Sequence, residues 1–146
     1  YESLRAMKYE MEAETCKINL SPVAFHRWAE QYHQCRLLFQ HADFSPIPYF
    51  LLCRAIELQF KAVHLEDKRQ QEVKKKYGHD LIKSYDDLPA TRQTLSKEEV
   101  SLLEKASEIY NGNGFEYVNV DHAAHGFSNF PDLSALDAIA AKIIGW

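Results

Sequence analysis

Residues 49–66 read YFLLCRAIELQFKAVHLE, and this stretch decides the fold class. Its apolar residues cover more than one stripe of a helix, which is the pattern of a helix that is buried on several sides. Arg54, Glu57 and Lys61 interrupt it at spacings of three and four, so they share one face. We therefore predict that Tyr49–Glu66 forms the central, most buried helix. Its predicted core positions are Leu52, Ile56, Phe60 and Val63.

Helical signals flank this stretch. Ser21–Pro22 is a helix start, with Ser as N-cap and Pro at the first position, and an amphipathic pattern then runs to about Ala42. Its apolar positions are Phe25, Trp28, Ala29, Tyr32, Cys35, Leu38 and Phe39. Ser45–Pro46 offers a second start, for the central helix. The first half of the chain is therefore predicted to hold two consecutive helices.

Further helices are predicted after residue 80. Ser96 with Glu99 three positions later forms a capping box, and glycines at 112 and 114 end the helix that follows. Asp132 is placed to cap a last helix, from about Leu133 to Ile144. Residues 111–131 are rich in Gly, Asn and aromatic side chains, so we predict a long loop whose aromatic residues can attach it to the core.

The chain shows no internal repeat, no low-complexity tract and no strand-like alternation. We predict an all-α fold, an antiparallel bundle of four principal helices with short additional helices. The 146 residues suit a single domain, 1–146, in which 1–21 is an extra N-terminal helix or a flexible arm.

Charge is unevenly distributed along the chain. The whole sequence carries a formal net charge of −4, which argues against a general nucleic-acid-coating protein, whereas the segment 54–92 is net positive. A local basic site is therefore still compatible with the sequence. Its candidate residues, a basic patch, are Lys68, Arg69, Lys74, Lys75 and Lys76.

Cysteine spacing and hydropathy bear on the compartment. The three cysteines lack a CxxC spacing, which fits reduced thiols better than a disulfide framework. No apolar run of 18 residues and no secretory signal occurs. We expect a cytoplasmic protein that does not enter membranes.

The charged face of the central helix has two interpretations. Arg54, Glu57 and Lys61 are either a polar seam that lines a cleft or the solvated edge of a helix with ion pairs. Lys68 continues the same stripe, which favours the solvated edge.

The sequence YGHDL at 77–81 also has two interpretations. Gly78 can end one helix in a left-handed conformation, Asp80 can begin the next, and His79 can hydrogen-bond back to the preceding segment. Alternatively, His79 is a general base or a phosphate contact, and the lysines at 74–76 steer an anion towards it. We favour the structural interpretation.

A third group is Asp121, His122 and His125, in the sequence DHAAH. These side chains are potential zinc ligands, but the four clustered ligands of a structural zinc site are missing. A metal-binding helical domain is accordingly the weakest alternative, and we expect no cofactor.

Two segments together resemble the HEPN (higher eukaryotes and prokaryotes nucleotide-binding) family. They are LLCRAIELQFKAVHLE at 51–66 and KYGHDLIKSYDDL at 76–88, and EIYNGNGFEYVN at 108–119 is similar to the end of the family's fourth helix. The resemblance covers about 23–145. It implies a small all-α bundle, commonly a homodimer. Members are metal-independent ribonucleases, toxins paired with nucleotidyltransferase antitoxins, or inactive modules that bind RNA or nucleotides.

The ribonuclease motif of that family, an Arg and a His four to six residues apart in a late helix, is missing. Glu57, Lys61 and His79 occupy family-like positions, but no Arg–His pair follows them. The resemblance thus implies a non-catalytic intracellular module. Its candidate ligand-binding residues, or polar seam, are Arg54, Glu57, Lys61, His79 and Asp80. Expected partners are a second copy, RNA or a nucleotidyltransferase-type protein.

The alternative is a ribonuclease or toxin component with a degenerate active site. Arg27 and His33 lie six positions apart, although in the first helix, and could meet across a dimer. Lys61 and His79 are the other candidate pair. A lysine is a poor substitute for the planar Arg fork at a phosphorane, so we expect no robust ribonuclease activity.

Overall fold

A computed structural model describes residues 21–117 and 119–146, and within these ranges the chain is all-helical without a strand. The all-α class is therefore confirmed. The predicted N-terminal helix or arm lies outside the described residues, as does Cys16. The seven helices are α1 (Ser21–Leu38), α2 (Ile47–His64), α3 (Gln70–Tyr77), α4 (Leu81–Asp86), α5 (Lys97–Asn111), α6 (Val120–Ala124) and α7 (Leu133–Ile144), with a 3-10 turn at Ala90–Arg92.

Helix α2 is the centre of the fold, as predicted. It packs against α1, α4, α5 and α7, and 14 of its 18 residues are buried. The four predicted core positions, Leu52, Ile56, Phe60 and Val63, are all buried, and so is the thiol of Cys53. Among the described helices, none has both the length and the apolar character that a membrane crossing requires.

The predicted caps form at three helix starts. Asp80 Oδ1 accepts the Lys83 amide hydrogen at 3.1 Å, and Asp132 Oδ2 accepts that of Ala135 at 2.9 Å. At α5, Ser96 and Glu99 form both bonds of the capping box. These hydrogen bonds confirm the three predictions. Each could be made from the sequence because a cap depends on residues within one helical turn.

Two helix boundaries differ from prediction. Helix α1 ends at Leu38 and not near Ala42, and beyond it His41 Nδ1 hydrogen-bonds to the Asp43 carbonyl at 2.7 Å. Helix α2 begins at Ile47, whose amide donates to Ser45 Oγ at 3.2 Å.

The segment 111–131 is not the continuous loop that its composition predicts. It contains α6, whose first amides, at Asp121 and His122, donate to Asn119 Oδ1. Gly114 allows the chain to pass close to α5, because a Cβ there would lie 2.6 Å from Ile109 Cγ2. As expected, aromatic side chains attach the segment to the core: Phe115 and Phe130 both contact Tyr49 of α2.

A small second apolar cluster joins the C-terminal end of α2 to α3. Leu65, Val73 and Tyr77 are buried together, and Phe25 of α1 packs against them. Gly78 then turns the chain with a positive φ of 51°, which a residue with a Cβ rarely adopts. The turn brings His79 back over α2.

Candidate anion-binding cleft

A cleft of about 480 Å³ opens between α1, α2, α3 and the turn that follows α3. Its floor is the charged face of α2, and its far wall is α3. Its described lining residues are Phe25, Trp28, Arg54, Glu57, Leu58, Lys61, Leu65, Gln70, Val73, Lys74, Gly78 and His79.

The floor of the cleft is organised by one buried carboxylate, that of Glu57, whose side chain is 3% exposed. Its Oε1 accepts from Lys61 Nζ at 2.6 Å and from Arg54 Nη1 at 3.1 Å. Its Oε2 accepts from His79 Nδ1 at 3.0 Å and from the phenol of Tyr110. One acid therefore gathers donors from α2, from the turn after α3 and from α5.

These contacts keep Glu57 ionised in spite of its burial. Burial raises the pKa of its carboxyl group, but the hydrogen bonds from Lys61 and Tyr110 outweigh that effect, and the pKa is lowered. Burial and the Glu57 charge both raise the pKa of Tyr110, so its phenol is a neutral donor. The floor thus holds a carboxylate and a phenol, with two cations.

The two cations of α2 are held in place. The Arg54 guanidinium lies 5.9 Å from the centre of the Tyr32 ring, and only 11% of the Lys61 side chain is exposed. Interpretation of this face as a solvated edge is wrong, because Glu57 is buried and paired on both oxygens. Lys68 does not continue the stripe, since α2 ends at His64; its ammonium pairs with Asp67 at 3.1 Å.

His79 and Asp80 have different surroundings. The His79 ring is edge-on to Tyr110, with centroids 5.7 Å apart, and its Nδ1 is engaged by Glu57, which leaves Nε2 for another partner. The His79 side chain is 55% exposed at the cleft. Asp80 caps α4 and is not among the described lining residues. His79 therefore links the turn after α3 to α2 through its hydrogen bond to Glu57, and it is also accessible to a ligand.

Aromatic side chains of α1 form a further wall of the cleft. The Phe25 and Trp28 rings lie 5.7 Å apart, and Trp28 is 51% exposed although its periodicity placed it on an apolar face. Within α1, Ala29 is the one buried residue. Sequence reasoning missed Trp28 as a site residue. No local signal distinguished it, because Trp28 follows the apolar period of α1.

The predicted basic patch is divided among different surroundings. Lys74 lines the cleft, and Arg69 lines an adjacent surface depression together with Lys74. Lys76 pairs with Asp87 at 3.2 Å, and Lys75 is exposed but is not among the cleft residues. Of the patch, Lys74 alone among the described residues joins Arg54 and Lys61.

The other sequence candidates lie elsewhere. Arg27 and His33 belong to α1 but are not among the described lining residues. The His122 ring packs on Phe130 with centroids 5.3 Å apart, and His125 Nδ1 bonds to the Asp121 carbonyl at 2.7 Å. In residues 21–117 and 119–146, no three His, Cys, Asp or Glu side chains are grouped as metal ligands.

The cleft is suited to an anion that also carries a flat apolar group. Arg54, Lys61 and Lys74 set three cations against the single carboxylate of Glu57, and concave walls concentrate such a field. Trp28 supplies an open ring face. No protein-family model, no curated protein and no solved structure matches the chain.

Proposed function

We propose that this protein is a non-catalytic, HEPN-like binding module of the cytoplasm whose cleft holds phosphates of RNA or of a nucleotide. One observation carries the proposal. Arg54 and Lys61 share a single buried oxygen of Glu57 at the floor of a cleft that is walled by Trp28. The four helices of 12 residues or more, α1, α2, α5 and α7, are its proposed four-helix bundle.

The electrostatic part of the argument concerns preorganisation. A cation whose position is already fixed loses little side-chain entropy when an anion binds. Glu57 fixes Arg54 and Lys61. One negative charge against two positive charges leaves the floor with a net positive charge. Exposed lysines such as Lys75 lack this advantage, because their charge is mobile and screened.

The aromatic part of the argument concerns the base. Stacking of a base on an aromatic side chain contributes about 1–3 kcal/mol and is tolerant of sequence. Trp28 combines a half-exposed ring with a position beside the cations. A ligand with a base and a phosphate can contact both Trp28 and the cations, whereas a bare anion can contact the cations alone.

We propose in addition that the module is a homodimer and pairs with a nucleotidyltransferase-type protein. Support for a protein contact is a group of exposed apolar side chains at the turn between α1 and α2, which are Leu37, Leu38, Phe44 and Ile47. The second partner is implied by the HEPN resemblance. Light scattering of the purified chain measures the oligomeric state, and a monomer at micromolar concentration contradicts the homodimer.

Binding to a labelled RNA decamer that carries a terminal phosphate tests the main proposal. Lys74→Gln and Trp28→Ala are expected to weaken binding, each with a control from the same helix, Lys75→Gln and Val23→Ala, whose side chains are exposed outside the cleft lining. Lys74→Gln should also reduce the salt dependence by about one charge. Equal losses in Lys74→Gln and Lys75→Gln would place the RNA outside the cleft.

A second candidate function is ribonuclease activity, and one observation favours it. A carboxylate that holds His79 Nδ1 orients the ring and leaves Nε2 to act as a base, while Lys61 and Arg54 lie on the same carboxylate. We still expect no robust cleavage. Incubation of the parent, His79→Ala and Lys61→Ala with labelled RNA decides the matter. Turnover that both variants abolish establishes the enzyme.

A further inference from the structure

We infer that the cleft is specific for a terminal phosphate monoester, either of a free nucleotide or of an RNA end, and does not hold an internal stretch of RNA. The inference rests on the proposed function and names the part of the ligand that the site selects. Four features carry it: the balance of charge in the cleft, the hydrogen-bond donors that line it, the pairing of the lysines outside it, and the place of Trp28.

The charge balance favours a dianion. Arg54, Lys61 and Lys74 line the cleft against the one carboxylate of Glu57, so these four groups carry an excess of two positive charges. A phosphate monoester carries about −1.5 to −2 charges at pH 7 and offers three terminal oxygens. An internal phosphodiester carries a single charge. The monoester therefore neutralises the lining, and the diester leaves an unpaired cation in it.

The donors also suit three oxygens. Lys61 has three N–H donors, of which Glu57 takes one, and Arg54 Nη1 is bound to the same carboxylate oxygen, so that its other N–H groups can serve a ligand. Lys74 approaches from the opposite wall, on α3. These donors come from two separate helices, α2 and α3, around one space. Such an arrangement encloses a compact group, such as a terminal phosphate, better than it accommodates a nucleic-acid strand that passes through the cleft.

The surface around the cleft does not form a continuous positively charged groove. Single-stranded nucleic acid is held by a positive groove that follows the backbone. Beyond the cleft, Lys68 pairs with Asp67 and Lys76 pairs with Asp87. Two lysines of the basic patch are thus neutralised by their own neighbours. Arg69 shares a depression with Lys74, but the acid Glu72 lines the same depression, and the exposed Lys75 lines neither this depression nor the cleft.

Trp28 places the base of the same nucleotide. Its ring and that of Phe25 lie across the cleft from α3, and they belong to the same 480 Å³ space as the cations. One nucleotide can therefore contact both walls at once. The unit that we assign to the cleft is a single base with its own terminal phosphate.

The test is a set of adenine probes measured by titration calorimetry on the full chain. Adenosine 5′-monophosphate and adenosine 3′-monophosphate carry the monoester, and adenosine 3′,5′-cyclic monophosphate carries the same base with a diester. We expect at least one monoester to bind about 10-fold more tightly than the cyclic compound, the equivalent of one charge-assisted hydrogen bond. Lys74→Gln should remove most of that difference, and Lys75→Gln should retain it.

The same comparison is made with an RNA decamer that has a 5′-phosphate, a 3′-phosphate or neither, which separates RNA ends from free nucleotides. A gain of about 10-fold from a terminal phosphate supports the inference and identifies the end. Equal binding of the unphosphorylated decamer, or of the cyclic nucleotide, overturns the inference while phosphate binding at the cleft stands. Failure of every probe to bind overturns both.

Discussion

The phenol of Tyr110 on α5 donates a hydrogen bond to the carboxylate of Glu57 on α2, which lies 53 positions earlier in the sequence. Both residues are buried. Because the Tyr110 pKa is raised and the Glu57 pKa is lowered, the pair is a neutral donor with a charged acceptor. The stability of the core and the geometry of the cleft floor therefore depend on the same contact.

Removal of the phenol hydroxyl should destabilise the fold. Tyr110→Phe leaves the buried Glu57 carboxylate with one donor fewer, and we expect a loss of about 1–3 kcal/mol in the free energy of unfolding. Urea denaturation measures it. Tyr117→Phe is the matched control, since Tyr117 is 71% exposed and should change stability little. An equally stable Tyr110→Phe variant contradicts the role that we give to the pair.

Truncation of Phe60 tests the centre of the core. This side chain is fully buried on α2 and lies against Tyr85 and Trp146. Phe60→Ala should lower the free energy of unfolding by about 3–5 kcal/mol, because it removes apolar contacts and leaves a cavity. Val23→Ala, at an exposed position of α1, should stay within about 0.5 kcal/mol of the parent. A thermal melt of Phe60→Ala that coincides with the parent would show that the side chain is misplaced.

His79 allows the structural and the ligand roles to be separated. Loss of its hydrogen bond to Glu57 in His79→Ala should cost about 1 kcal/mol of stability. Denaturation and phosphate-ligand binding are measured on the same preparation. If stability is unchanged and binding is lost, the imidazole acts on the ligand and our structural assignment fails.

His64 makes stability depend on pH. Its Nε2 donates to the Ser84 carbonyl at 2.8 Å, its ring stacks on Tyr77, and burial lowers its pKa below 6.5. The unfolded chain therefore takes up the proton first as the pH falls. Stability from this group is complete above about pH 7 and declines below about pH 6.5, by at most about 1.4 kcal/mol per pH unit.

The control for this pH effect is His64→Gln, which keeps an amide donor but does not titrate. Its free energy of unfolding, measured in urea from pH 7.5 to pH 5, should fall less steeply than that of the parent. Parallel curves for the two proteins would assign the pH dependence to other groups. Glu57 acts in a lower range, because its lowered pKa contributes stability above about pH 4.5 that is lost as the pH falls further.

The parts of the fold that sequence predicts are those with local causes. The caps at Asp80, Ser96 and Asp132 each depend on an amide three residues away, and the burial of α2 follows from its own apolar pattern. Helix α6 was missed because it has five residues and its main signal is the Asn119 cap within an aromatic segment. Short helices carry too little periodicity to be read from sequence.

The site was predictable only in part, for a different reason. Spacing placed Arg54, Glu57 and Lys61 on one face, but whether that face is solvated depends on residues distant in sequence. Tyr110 carries no local mark of its bond to Glu57, and Trp28 follows the apolar period of α1 although half of it is exposed. Tertiary packing decides both.

The Tyr110 contact also fixes when the cleft can first exist during synthesis. A nascent chain that stops before α5 already contains Arg54, Lys61 and His79, yet its Glu57 lacks the fourth donor. The floor is complete only after residue 110 has left the ribosome and α5 has docked. A ligand that selects the finished floor is accordingly a ligand of the folded state alone, and it raises the apparent stability of the protein as its concentration exceeds Kd.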